Sequence, residues 1–147
     1  MKIYMDNCCY NRPYDDQTQI RIYLETEAKL YIQEQIRNGE FELVTSYMLE
    51  YENGKNRFSH KKKAIAEFMD TNESYYVGIE RQVEARKIAE QIMKSGIKSA
   101  DALHVACAIL AGCDYFITTD DRLLKFYTSE VNIVTPGEFI RRLEADE

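Results

Sequence analysis

Residues Lys98–Leu124 read KSADALHVACAILAGCDYFITTDDRLL, and the order of patterns inside this stretch decides the fold class. At about 100° per residue, Ala102, Leu103, Val105, Ala106, Ile109 and Leu110 cover nearly the whole circumference of a helix, which predicts burial on most sides. Ser99 is placed to cap that helix. Its polar side chains are Ser99, Asp101 and His104. DYFITT follows at once as a strand, with Asp120 just beyond it.

Working outward, the same alternation runs along the chain. KIYM (Lys2–Met5) reads as a first strand ending at Asp6, and the pattern from about Asp16 to Asn38 is helical, with Gly39 placed to end it. FELVTS is a second strand, and Ser46 can cap the helix YMLEYENGKN. Helical patterns follow at roughly His60 to Met69 and Ile79 to Lys94. After DYFITT come a last strand, VNIV, and TPGE (Thr135–Glu138), whose capping-box spacing and Pro open a C-terminal helix. Strands alternating with helices predict an α/β domain with a mainly parallel central sheet and helices on both faces, because parallel neighbours need helical crossovers.

A length of 147 residues suits a single domain over 1–147. With 45% hydrophobic and 30% charged residues the chain has the balance of a soluble globular protein. No apolar run approaches the roughly 18–20 residues of a membrane span. The opening MKIYMDNCCYNRPYDD reaches an acid at its sixth residue and lacks the apolar core of a signal peptide, so a cytoplasmic location is the expectation. Cys8, Cys9, Cys107 and Cys113 match no common zinc spacing and are expected as reduced thiols. A formal charge of −6 argues against a general nucleic-acid coating protein, though not against a local basic groove.

In open α/β sheets ligands bind outside the carboxyl ends of the strands, where Asp6 and Asp120 fall and where the helix headed by Asp101 would pack. Glu50 and Glu52 lie about 200° apart on their helix. Glu52 sits between the apolar positions Met48 and Leu49 and is the inward candidate; Asn56, one turn on, is placed to hold its carboxylate. Four carboxylates at one edge repel one another unless a cation neutralises them. Ligation by oxygen alone suits Mg²⁺ or Mn²⁺, and such an ion favours in-line phosphodiester hydrolysis.

The segments IYMDNCCYNRP, TSYMLEYENGKN and KSADALHVACAILAGCDYFITTDDRLL, in this order, resemble the PIN-domain family, which includes the toxin ribonucleases of toxin–antitoxin pairs. The likeness runs from Met1 to about Pro136. It implies a three-layer α/β/α sandwich and a Mg²⁺- or Mn²⁺-dependent endoribonuclease that cleaves single-stranded RNA by metal-activated water. Carried across the motifs, the resemblance puts the catalytic and metal-binding acids at Asp6, Glu52, Asp101 and Asp120. Glu50 stays a competitor to Glu52, and Asp121 has no assigned role. Asn7 and Thr118 match groups that would hold the carboxylates. A cognate antitoxin and a homodimer are the partners the resemblance implies.

Residues 53–66, NGKNRFSHKKKAIA, carry Lys55, Arg57, Lys61, Lys62 and Lys63 with no acid. Arg57 and Lys61 here, and Lys98 three residues before Asp101, are candidates for the RNA backbone. Exposed tyrosines such as Tyr10 or Tyr14 would offer stacking faces, and His104 reads as a hydrogen-bonded core histidine. Two other readings compete: a noncatalytic PIN-like module that binds RNA or protein, and a phosphate-handling receiver domain. The second is disfavoured because Asp6 is followed by Asn7 and two cysteines instead of a paired acid.

Overall fold

The computed structural model describes residues 1–145. Five strands form one sheet: β1 (Lys2–Met5), β2 (Glu42–Ser46), β3 (Glu73–Val77), β4 (Tyr115–Ile117) and β5 (Asn132–Val134). Their order is β3-β2-β1-β4-β5 and every pairing is parallel, so the sheet goes beyond the mainly parallel one expected. From β1 the chain winds outward through β2 to β3, then crosses back to lay β4 on the other side of β1. The strand order therefore reverses between β1 and β4, and a crevice opens there at the carboxyl ends.

Eight helices flank the sheet in a three-layer α/β/α sandwich: α1 (Asn7–Asn11), α2 (Ile20–Arg37), α3 (Tyr47–Gly54), α4 (Ser59–Asn72), α5 (Gln82–Met93), α6 (Ser99–Leu110), α7 (Asp121–Leu124) and α8 (Pro136–Ala145). Strand side chains alternate between faces. Tyr4 and Phe116 stack at 5.3 Å between centroids on the face that α6 covers, where Tyr4 also meets His104. Tyr115 points the other way and meets Phe139 of α8 edge-on at 5.0 Å. Helix α6 buries Ala102, His104, Val105, Ala106, Cys107 and Ala108, while Leu103, Ile109 and Leu110, also expected inside, are partly exposed.

Several local expectations are corrected. Helix α2 starts at Ile20 instead of about Asp16, because the Asp16 carboxylate accepts from the Thr18 amide and hydroxyl and closes a turn that competes with the helix. Ser99 is the first residue of α6 and makes no capping bond; the flanking residue is Lys98. Helix α3 ends at Gly54, before Asn56. The short helices α1 and α7 and the edge strand β3 have no counterpart in the sequence reading. At the C-terminal helix, Thr135 Oγ1 accepts from the Glu138 amide at 3.0 Å, while the Glu138 carboxylate turns to Arg141 and Arg142. Half of the capping box is thus present. Among the described residues no helix is long and apolar enough to cross a membrane, and all four cysteines are free thiols.

Candidate active site

Asp6 leaves the end of β1, and its backbone amide still bonds across to Ile117 of β4 at 2.9 Å. Its carboxylate caps α1 by accepting from the Asn7 amide at 2.8 Å, and it accepts from Thr118 Oγ1 at 2.9 Å and from Cys8 Sγ at 3.6 Å. Thr118 is fully buried just past β4, and its hydroxyl also accepts from the Asp120 amide at 3.1 Å. One threonine therefore ties the two strand ends, with their acids, together. Asp120 caps α7 through the Arg122 amide at 2.8 Å. Asp121 turns away, paired with Arg21 of α2 at 2.9 Å.

Burial raises the Asp6 pKa, and the Glu52 charge adds to that rise. Asp101, in the first turn of α6, is also raised: by burial first, then by Asp6, Asp120 and Glu52 as like charges. These couplings bring all four predicted acids into one electrostatic field. Among the described residues, however, no three His, Cys, Asp or Glu side chains already stand as a metal-binding group.

Glu52 is held from an unexpected direction. His104 Nε2 meets Glu52 Oε1 at 2.8 Å, and on its other side Nδ1 meets the Tyr4 hydroxyl at 2.6 Å. Tyr4 continues to Ser46 Oγ at 2.7 Å, which accepts from the Leu49 amide at the start of α3. Tyr4, Ser46 and His104 are all fully buried. With neutral His104, Nε2–H donates to Glu52, Nδ1 accepts from Tyr4, and Ser46 donates to Tyr4. With imidazolium the last two bonds reverse, so the chain serves both states. Burial alone would lower the His104 pKa; the Glu52 hydrogen bond and the Asp6, Glu52 and Asp101 charges outweigh it and raise it.

This replaces Asn56, expected to hold Glu52. Asn56 lies beyond the end of α3, where its side chain donates to Asn11 Oδ1 at 3.3 Å and accepts from the Phe58 amide at 3.1 Å. Glu50 faces the other way, towards Tyr76, whose hydroxyl is pushed up to about 12 by burial and by Glu50. Asn7 contacts Asp6 through its backbone; its own Oδ1 is buried without a partner. That orphaned oxygen beside Asp6, with an all-carboxylate donor set under mutual repulsion, fits a hard divalent cation.

Lys61 lies over the rings of Phe58 at 4.3 Å and Tyr14 at 5.1 Å, while Arg57 and Lys98 are exposed. Tyr10, expected as a stacking face, is buried instead, because α1 turns it inward against Phe68.

Among curated proteins no relative matches. Six chains of solved structures do. One belongs to the crystal structure of VapBC2 from Rickettsia felis bound to a DNA fragment from their promoter. It superposes with a TM-score of 0.54 at 10% identity over 90% of this chain and 97% of that chain, which shows a shared fold. Residues 18–128 match the PIN domain family, a span that includes Glu52, Asp101 and Asp120 and leaves Asp6 to the strand before it. On a match over most of its length, the chain belongs to the PIN-domain family.

Proposed function

We propose that the protein is a divalent-metal-dependent endoribonuclease acting on single-stranded RNA, and that it is the toxin of a toxin–antitoxin pair. The observation that carries the nuclease reading is the charge coupling among the acids: burial and the Glu52 charge raise Asp6, and burial and the charges of Asp6, Asp120 and Glu52 raise Asp101. Such a field favours a bound cation over four free carboxylates. Asp6, Glu52, Asp101 and Asp120 would hold Mg²⁺ or Mn²⁺. The ion would lower the pKa of water and stabilise charge on the phosphoryl oxygens.

The protein's own groups supply positioning. Thr118 fixes Asp6 against the Asp120 loop, and His104 fixes Glu52. Arg57, Lys61 and Lys98 supply cations for the RNA backbone, with Tyr14 and Phe58 as stacking faces beside Lys61. The antitoxin partner is proposed from the family resemblance, alongside the likeness of fold to a chain of VapBC2.

The test is cleavage of labelled single-stranded RNA with Mg²⁺, Mn²⁺ or EDTA by wild type, Asp6→Asn and Asp101→Asn, with Mn²⁺ binding followed by calorimetry. Metal-dependent cutting lost in both variants is the expected result. No cutting and no Mn²⁺ binding by wild type would overturn the reading in favour of a noncatalytic binding module.

A further inference from the structure

Away from the acids, a cavity of about 420 Å³ opens between α2 and α4 beside the 3₁₀ turn Arg12–Tyr14. Its lining includes Tyr10, Tyr14, Lys29, Gln33, Arg37 and Phe68, and none of the four acids. Lys29 is only 5% exposed. Its ammonium stands 5.7 Å from the Tyr10 ring centroid and 6.0 Å from that of Phe68, over whose face the Arg37 guanidinium also lies at 5.3 Å.

What Lys29 lacks is an anion. Among the described residues no carboxylate lies within ion-pair distance of it. Glu25, one helical turn away, is taken by Arg12 and Arg21. Glu67, across the cavity, leans towards Lys63. Burial brings the Lys29 pKa down to about 8, so the group is still mostly charged near neutral pH. Two further atoms share the deficit: Tyr10 Oη and Gln33 Oε1 are buried without a hydrogen-bond partner. A buried, unpaired cation is costly to fold, and an anionic occupant of the cavity removes that cost.

We propose that this cavity is a noncatalytic binding site for a nucleoside monophosphate or an equivalent nucleotide unit of RNA. Lys29 provides the charge for the phosphate, with Arg37, itself paired to Glu34 at 3.3 Å, beside it over the Phe68 ring. The half-exposed Tyr14 ring at the rim gives the base a stacking face. The volume is within the range of small-molecule sites. This site does not depend on the nuclease reading.

The experiment is calorimetric titration of the full chain in EDTA, so that no metal can carry phosphate to the acids, with AMP, inorganic phosphate, adenosine and a short oligoadenylate lacking terminal phosphates. AMP is expected to bind, adenosine not to bind, and inorganic phosphate to bind more weakly. Lys29→Met should weaken AMP at least about tenfold while raising the melting temperature, since it removes a buried charge. Gln33→Glu, which sets a carboxylate one turn from Lys29, should abolish AMP binding while the fold is retained. Asp6→Asn should leave AMP binding unchanged. Displacement of AMP by the oligoadenylate would identify RNA as the source of the nucleotide; no displacement would identify a free nucleotide. No binding of AMP at about 10 mM, or equal affinity in folded Lys29→Met and Gln33→Glu, would overturn the proposal.

Discussion

Tyr4→Phe removes one oxygen from the buried chain that ends on Glu52 and leaves everything else in place, including the ring that stacks on Phe116. That oxygen joins His104 Nδ1 at 2.6 Å to Ser46 Oγ at 2.7 Å with no solvent access at any of the three residues. Two intramolecular hydrogen bonds contribute about 0.5–1.5 kcal/mol each, and a buried nitrogen left without a partner costs about 1–3 kcal/mol. Partial relaxation makes these overlap, so the expected loss is about 2–4 kcal/mol. For a chain of this size that lowers the melting temperature by about 5–15 °C. The assay is urea and thermal unfolding of wild type, Tyr4→Phe, Ser46→Ala and the double variant, with Tyr127→Phe as a control at a site 85% exposed. Ser46→Ala also loses the cap of α3, worth about 1 kcal/mol. Because the two side chains share a bond, the double variant should cost less than the sum by about 0.5–1.5 kcal/mol. A Tyr4→Phe loss no larger than that of Tyr127→Phe, or strict additivity with Ser46→Ala, would refute the chain.

Metal-free stability should fall as pH rises from about 5 to 8. Asp6, Asp101 and His104 are all raised in the fold, so the native state holds protons that the unfolded chain releases, and His104's contribution is complete below about 6.5 and lost above its folded value. Urea midpoints across this range check the slope, and Mg²⁺ should flatten it; a metal-free midpoint that rises with pH would contradict the assignment. Glu52→Gln should weaken Mn²⁺ binding by about tenfold or more, whereas Glu50→Gln, which loses only its relation to Tyr76, should stay within about twofold; calorimetry on the pair reports any reversal. Gly39 closes α2 with φ at 79°, so Gly39→Ala should cost about 1 kcal/mol by urea unfolding, and an unchanged midpoint would mean the turn can relax.

The acids at Asp6, Asp101 and Asp120 were legible because their positions follow from local pattern: a strand end, a helix head and a strand end again. Their neighbours were legible only where they shared that locality, as Thr118 does with Asp120. Glu52 shows the limit. Helical angles orient it inward, but its partner is His104, fifty-two residues on, and nothing within its own helix points there. Asn56 was the local choice, and the early end of α3 removed it. β3 escaped notice for a related reason: of ESYYV only Val77 is buried, so the edge strand lacks the apolar run or clean alternation that marks a strand. Tyr10 was misread because α1, a single short helix begun by the Asp6 cap, decides its direction. Lys29 carries no signal in sequence at all; a lysine on a helix is ordinarily solvated, and it is the Tyr10 and Phe68 rings beside its ammonium that mark it out.

Asp101 heads a helix, and a carboxylate there gains about 0.3–1 kcal/mol from the helix dipole, which would lower its pKa. The direction found is the opposite, set by burial first and then by the charges of Asp6, Asp120 and Glu52. Helix capping therefore does not account for this residue. In the field it belongs to, four carboxyl groups face a single imidazole. His104 alone cannot balance them, and its geometry commits it to Glu52. A bound divalent cation would offset the like charge that raises Asp6 and Asp101, so binding strength at this crevice should come from relief of repulsion as much as from ligand contacts. The same reasoning with the sign reversed applies to Lys29, where the fold keeps a cation without an anion. In both places an unbalanced charge costs stability locally, the kind of cost that functional sites carry.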